Sequence, residues 1–206
     1  DRLMMTQQGL LNDEGKKFLT KIIDSSRRMQ KMINDLLSVS TILGNKGFEE
    51  SDLNVLLREA AQSLDHKIEE TNTEVVADDL PTLSVVPSQF RQLFQNLIGN
   101  SLKFTRAGVQ PKIRITHSLL SSKEVERHRL NKGTTYLQLQ FSDNGLGFDN
   151  QYADKIFAIF QRLHDKSEYD GTGIGLAVCK KIVENHEGLI TAKGALNEGA
   201  TFTIIV

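Results

Sequence analysis

Two asparagines and a lysine, Asn96, Asn100 and Lys103, interrupt an otherwise apolar, helix-forming stretch, SQFRQLFQNLIGNSLK, from Ser88 to Lys103. At about 100° per residue the three fall within an arc of roughly 60°. Phe90, Leu93, Phe94, Leu97, Ile98 and Leu102 take the opposite side. Neighbouring amides and an ammonium suit a magnesium polyphosphate. The amide carbonyls can face the hard cation, and the lysine can face phosphate oxygens.

Two glycine-rich turns downstream supply what such a ligand still lacks. Asp143 ends an alternating strand and precedes Asn144, Gly145, Leu146 and Gly147. A carboxylate there can accept a hydrogen bond from an exocyclic amine such as that of adenine, and glycines let backbone approach a ring closely. A structural Asp-Asn-Gly turn fits the same residues. Gly171, Thr172, Gly173, Ile174, Gly175 and Leu176 open directly into a helix, where backbone N–H groups and the helix dipole favour an anion. That segment follows no predicted strand and carries no phosphate-loop lysine, so it is not a dinucleotide or P-loop fingerprint. Between the turns, Phe157 and Phe160 can anchor a cover, and Arg162 has the fork that matches phosphate oxygens. Lys166 suits a solvated loop, and His164 is open to either reading. Thr201, in GATF, can position a base or a water, or serve as a plain strand residue.

The elements that must position these groups form two modules. Asn12 to Leu43 reads as one long helix, with Asn12 as N-cap and Asp13 and Glu14 in the first turn. Its apolar residues are Phe18, Ile22, Met29, Ile33, Leu36, Val39 and Leu43. Such a seam suits a helical hairpin pairing with a second chain, with residues 1–8 as the tail of the other helix. A helix lying on the second module is the alternative. The hairpin occupies residues 1–44, a linker 45–52 and a second module 53–206. In that module Leu53 to Glu70 is expected as helix, Glu74 to Ala77 and Leu83 to Val86 as strands, and Lys112 to Ser118 as strand. Ser121 to Gly133 reads as a long polar loop, Tyr136 to Ser142 as a half-buried strand, and Leu176 to His186 as helix. Leu189 to Ala192 and Thr201 to Val206 close the chain as strands. Helices and antiparallel strands in separate runs give an α+β class.

The chain has 206 residues and a formal net charge of −1, which gives no global electrostatic case for nucleic acid or anionic lipid. Cys179 is the only cysteine, so an internal disulfide is excluded and a reducing, cytoplasmic setting is expected. No apolar run approaches the length needed to cross a bilayer, so no direct membrane contact is expected of these residues. The start, without an initiator methionine, reads as part of something longer.

Taken in order, Asn-x3-Asn-x2-Lys, DxGxG, FxxF, GTGxGL and GATF resemble the ATP-binding domain of sensor histidine kinases. That fold is shared with type II topoisomerases, heat-shock chaperones and mismatch-repair ATPases. The resemblance covers residues 52–206, and the helix through Phe18 resembles the second helix of the kinase dimerisation and phosphotransfer hairpin. It implies a two-layer α/β sandwich preceded by a truncated helical hairpin, and ATP and magnesium as cofactors. Asn96 and Asn100 would hold the metal, Lys103 and Arg162 would contact phosphates, and Asp143 would bind the adenine amine. Gly145, Gly147, Phe157, Phe160, Thr172, Leu176 and Thr201 would complete the ATP site, with Gly171, Gly173 and Gly175 shaping a lid hinge. The resemblance also implies a homodimer and a response regulator receiver domain as partner.

Hydrolysing relatives place a glutamate where this chain has Asn96, which cannot act as a base, so phosphoryl transfer is favoured over fast hydrolysis. No histidine precedes His66, so the usual phosphoacceptor is expected upstream. A degenerate ATP-binding module and an anti-sigma-type serine kinase are the alternatives.

Overall fold

The computed structural model describes residues 12–42, 47–163 and 171–206. The expected partner tail at residues 1–8, Leu43, His164 and Lys166 lie outside the described residues. Helix α1 spans Asp13–Ile42, and Asn12 caps it: Gly15 N–H donates to Asn12 Oδ1 at 2.8 Å. The alternative reading of this helix, lying on the second module, finds a counterpart. α1 touches α6 (Gly175–Asn185), as a helix lying on the second module would. Yet Phe18, Ile22, Met29, Ile33 and Leu37 stand more than half exposed, an apolar stripe at helical spacing.

Strand β1, Glu49–Asp52, lies inside the segment read as linker and pairs antiparallel with β3, Thr82–Val85. Its EESD sequence carries no hydrophobic alternation, which is why pattern alone misses it. The expected helix of 53–70 is broken into α2, Leu53–Gln62, and α3, Asp65–Glu70. At the break Ser63 Oγ–H donates back to the Ala60 carbonyl at 2.6 Å, competing with the helical ladder.

The main sheet has the order β2-β4-β5-β7-β6. It comprises β2 (Glu74–Ala77), β4 (Lys112–Leu119), β5 (Leu137–Asp143), β6 (Leu189–Ala195) and β7 (Gly199–Ile205). All pairs are antiparallel except β2 with β4, which is parallel and corrects the purely antiparallel expectation. Residues 121–133 are not a bare loop. Ser121 and Glu124 form a capping box that starts α5, Ser122–Arg127, and Val125 from it is buried near Tyr136 and Ile205.

Helices α4 (Pro87–Lys103) and α6 cover one face of the sheet. Phe90, Leu93, Phe94, Leu97 and Ile98 of α4, with Val178, Cys179, Ile182 and Val183 of α6, pack over Ile113, Ile115, Leu139, Phe141 and Ile204. At roughly 1.5–3 kcal/mol for each large apolar side chain removed from water, this face of α4 fixes which side the polar stripe must present. The result is a two-layer α+β sandwich. Burial pushes the Cys179 thiol up to about 12, so it is an inert core residue.

Candidate functional site

With the apolar side of α4 on the sheet, Asn96, Asn100 and Lys103 line a cavity of about 850 Å³. Asp143, Gly147, Arg162, Gly171, Thr172, Gly173, Gly175 and Leu176 line the same cavity. Residues separated by up to 80 positions in sequence thus share one wall.

Asp143 is built into its place by three donors. Oδ1 accepts from Gly145 N–H at 2.9 Å and Ala200 N–H at 3.2 Å, and Oδ2 lies 3.1 Å from Ser101 Oγ. Burial, only partly offset by these donors, pushes its pKa above the ordinary carboxylate value. The turn behind it is anchored rather than loose. Leu146 N–H donates to the Phe104 carbonyl at 2.8 Å, and Asn197 N–H donates to the Leu146 carbonyl at 2.7 Å. Arg106 donates through Nε to the Asn144 carbonyl at 2.7 Å and through Nη1 to the Asn197 carbonyl. Gly147 has φ +61, and a Cβ there would meet the Ala195 carbonyl. Gly145 does not line the cavity; its backbone sits against the Phe104 carbonyl and orients Asp143.

The second glycine turn faces Lys103. A Cβ on Gly171 would stand 2.8 Å from Lys103 Nζ, and that ammonium lies 4.5 Å from the Phe104 ring centroid. Arg162 Nη1 donates to the Gly171 carbonyl at 2.9 Å, and Phe160 N–H donates to the Gly173 carbonyl at 3.0 Å. The stretch 160–162 is therefore strapped to the glycine turn. α6 begins at Gly175 without a side-chain cap, and its first two residues, Gly175 and Leu176, line the cavity. Asn96 Nδ2 is buried and the side chain is set against the Cys179 thiol of the core, while Oδ1 lies beside Gly175 at the cavity.

Besides Gly145, three expected residues sit apart from the cavity. Phe157 is buried in the core, and Phe160 is 58% exposed with φ +65. Thr201 pairs with Ser142 across β5 and β7, Oγ to Oγ 3.0 Å, on the opposite face from Ala200 and Phe202, which do line the cavity. Strand parity turns Thr201 away. Sequence reading also missed Ser101, Arg106 and the rim formed by Lys67, Glu70 and Thr71 of and just after α3.

Residues 85–206 match the family described as histidine kinase-, DNA gyrase B-, and HSP90-like ATPase. The chain belongs to that family. Among similar proteins, Cyanobacterial phytochrome A of Nostoc sp. strain PCC 7120 is 38% identical over 201 residues, covering 97% of this chain and 24% of the relative. Adaptive-response sensory kinase SasA of Synechococcus sp. strain JA-3-3Ab is 30% identical over 182 residues, 85% of this chain and 45% of the kinase. The full-length histidine kinase ShkA, solved with AMPPNP, shares the fold with a TM-score of 0.70 at 23% identity, over 99% of this chain and 40% of its own. The catalytic domain of histidine kinase ThkA has a TM-score of 0.60 at 24% identity, over 77% of this chain and 94% of its own. This histidine kinase-type ATPase domain spans about a quarter of the length of the first curated relatives it matches. Among the described residues no helix is long and apolar enough to cross a membrane.

Proposed function

We propose that this chain is the ATP-binding catalytic part of a protein-histidine kinase in a two-component system. In this reading it transfers the γ-phosphoryl group of Mg-ATP to a histidine on an upstream helix, and thence to an aspartate of a response regulator receiver domain. The observation that carries the reading is the convergence of Asp143, the α4 stripe and the Gly171–Gly175 turn on one cavity. The residues lining the cavity suit the ligand: a buried carboxylate for the adenine amine, the amide oxygens of Asn96 and Asn100 for the metal side, and Lys103 with Arg162 for phosphates.

Asn100 and Asn96 would hold magnesium, which when bound neutralises charge on the phosphates. Lys103 orients the phosphates from the helix, and Arg162 does so from the strap tied to Gly171. Gly171 and Gly173 give that strap its turn, since a side chain at Gly173, φ +73, would press on 160–162. Asn96 offers no base to activate water, so the chemistry is positioning for transfer rather than hydrolysis. We assign residues 1–44 to the dimerisation hairpin, 45–52 to a linker and 53–206 to the catalytic domain. In the same reading the intact protein is a cytoplasmic homodimer formed through the helical hairpin, for which the exposed α1 stripe offers a seam.

Calorimetric titration tests the binding half of this reading. Wild type should bind ATP more tightly with magnesium than without, and Asn100→Ala should lose that difference. Equal binding with and without magnesium in the wild type would contradict the metal assignment.

A further inference from the structure

The two helices that wall the cavity meet with opposite ends. Asn96, in the second half of α4, lies by the first residue of α6: its Oδ1 is 3.5 Å from the position of a Gly175 Cβ. The start of α4 meets the end of α6, a full helix length of 11 residues, or about 16 Å, from the cavity end. There the contact is a polar clamp. His186 Nδ1–H donates to the Ile182 carbonyl at 2.7 Å, which leaves Nε2 to accept Val86 N–H at 3.0 Å. Asn185 Nδ2–H donates to Gln89 Oε1 at 3.0 Å, and the Phe90 ring lies 4.9 Å from the imidazole, edge on.

Both ring nitrogens are satisfied, as a half-buried imidazole requires, but the partner of Nε2 is the backbone at the start of α4. Val86 is the N-cap position of α4 and has no side-chain cap of its own, so His186 fixes where that helix starts. Its other ring neighbour among the described residues is Phe48, with centroids 4.9 Å apart. Phe48 is not core: it is 45% exposed and belongs to the segment between α1 and β1. From His186 the aromatic contacts run inward through Phe90 and Phe94, 5.8 Å apart, to Phe141, 5.5 Å further on and two residues from Asp143.

We infer that His186 is a positioning residue that sets the splay of α4 against α6, and that Phe48 gives the segment after α1 control over that splay. The inference rests on the nucleotide reading of the cavity. Two packed helices clamped at one end move as levers. A displaced Phe48 lets the imidazole shift, Val86 N–H loses its acceptor, and the separation of Asn96 from the Gly171–Gly175 turn changes. In this inference the intact clamp favours bound nucleotide, which bridges the same two helices at the other end, and by linkage the nucleotide tightens the clamp to the same extent.

Hydrogen–deuterium exchange with titration of Mg-AMPPNP tests this on the full chain as wild type, Phe48→Ala and Phe48→Tyr. In the wild type the analogue should slow exchange in peptides covering 47–52 and 183–188, remote from the cavity. Phe48→Ala removes a ring but no hydrogen bond; it should abolish the response at 47–52 and weaken the analogue by about fivefold or more. Phe48→Tyr keeps the ring and should restore both. A wild type that binds the analogue with no change at 47–52, or a Phe48→Ala variant with wild-type affinity, would overturn the clamp alone. A wild type that does not bind the analogue would overturn the nucleotide reading itself.

Discussion

Replacing Asp143 by asparagine separates the ligand role of this residue from its structural one. The shape is kept, and the asparagine Oδ1 can still accept from Gly145 N–H and Ala200 N–H, now at 2.9 and 3.2 Å from the carboxylate. The second position becomes an N–H donor, which Ser101 Oγ can accept while its own proton goes to the Leu97 carbonyl at 3.2 Å. Because burial raises the pKa of Asp143, the carboxylate is a cost to the empty fold, and the variant should be at least as stable as wild type. An adenine amine, by contrast, would lose a charge-assisted acceptor, about 1.5–3 kcal/mol, and face a donor instead, adding part of the about 1–3 kcal/mol for an unsatisfied group. The sum is about 2–4 kcal/mol, or about 30- to 700-fold in dissociation constant. Titration calorimetry with Mg-AMPPNP, alongside a denaturant midpoint, reads both quantities. The same donor suits the O6 acceptor of guanine, so the preference for adenine over guanine nucleotides should narrow. Unchanged adenine affinity, or an affinity loss that appears only with loss of fold, would refute the assignment.

Other perturbations divide by where they act. Asn100→Ala and Lys103→Ala should weaken Mg-ATP while leaving adenosine binding unchanged, since both stand on the phosphate side; equilibrium dialysis with the two ligands checks this. Gly199→Ala should destabilise by about 1–3 kcal/mol, because φ is +116 and the new Cβ meets the Asp143 carbonyl. Gly99→Ala, within α4 and with nothing within 4 Å, should instead stabilise by about 0.5–1 kcal/mol. The two denaturant midpoints should therefore move in opposite directions. On the pH axis His186 and Asp143 also oppose each other. Burial lowers the His186 pKa, so the unfolded chain binds that proton more readily. Stability from the neutral imidazole is then full above about pH 6.5 and lost as pH falls towards the depressed value. Asp143, with its pKa raised, protonates more readily when folded, so its cost is relieved on acidification while nucleotide binding, which needs the carboxylate, weakens. Binding followed against pH should lose this dependence in Asp143→Asn.

The α4 stripe was legible because a 3.6-residue period decides which side of a helix meets a sheet. Phe90, Leu93, Phe94, Leu97 and Ile98 are buried and Asn96, Asn100 and Lys103 line the cavity, although Leu102, expected on the apolar side, reaches the cavity as well. Asp143 was legible as a carboxylate at the end of an alternating strand. Ser101 was not, because its contact with Asp143 spans 42 positions and no local pattern encodes it. Arg106 likewise acts across 91 positions, on Asn197. Thr201 was misplaced by a single residue of strand parity: Ala200 and Phe202 face the cavity, so the threonine between them cannot. α5 carried a readable signal, Ser121 with Glu124 three residues on, hidden in a segment too polar for a periodicity search. β1 carried none, since an acidic EESD becomes a strand only through its pairing with β3.

The central claim is phosphoryl transfer to a histidine outside these residues. Its most direct test is γ-labelled ATP with magnesium, given to this chain and to one extended upstream through the first helix of the hairpin. Label on the extended chain only, stable to base and lost in acid, is the predicted result. Acid-stable label would mark a hydroxyl acceptor and contradict the histidine kinase assignment, and nucleotide binding without label on either chain would reduce the domain to an ATP-responsive module.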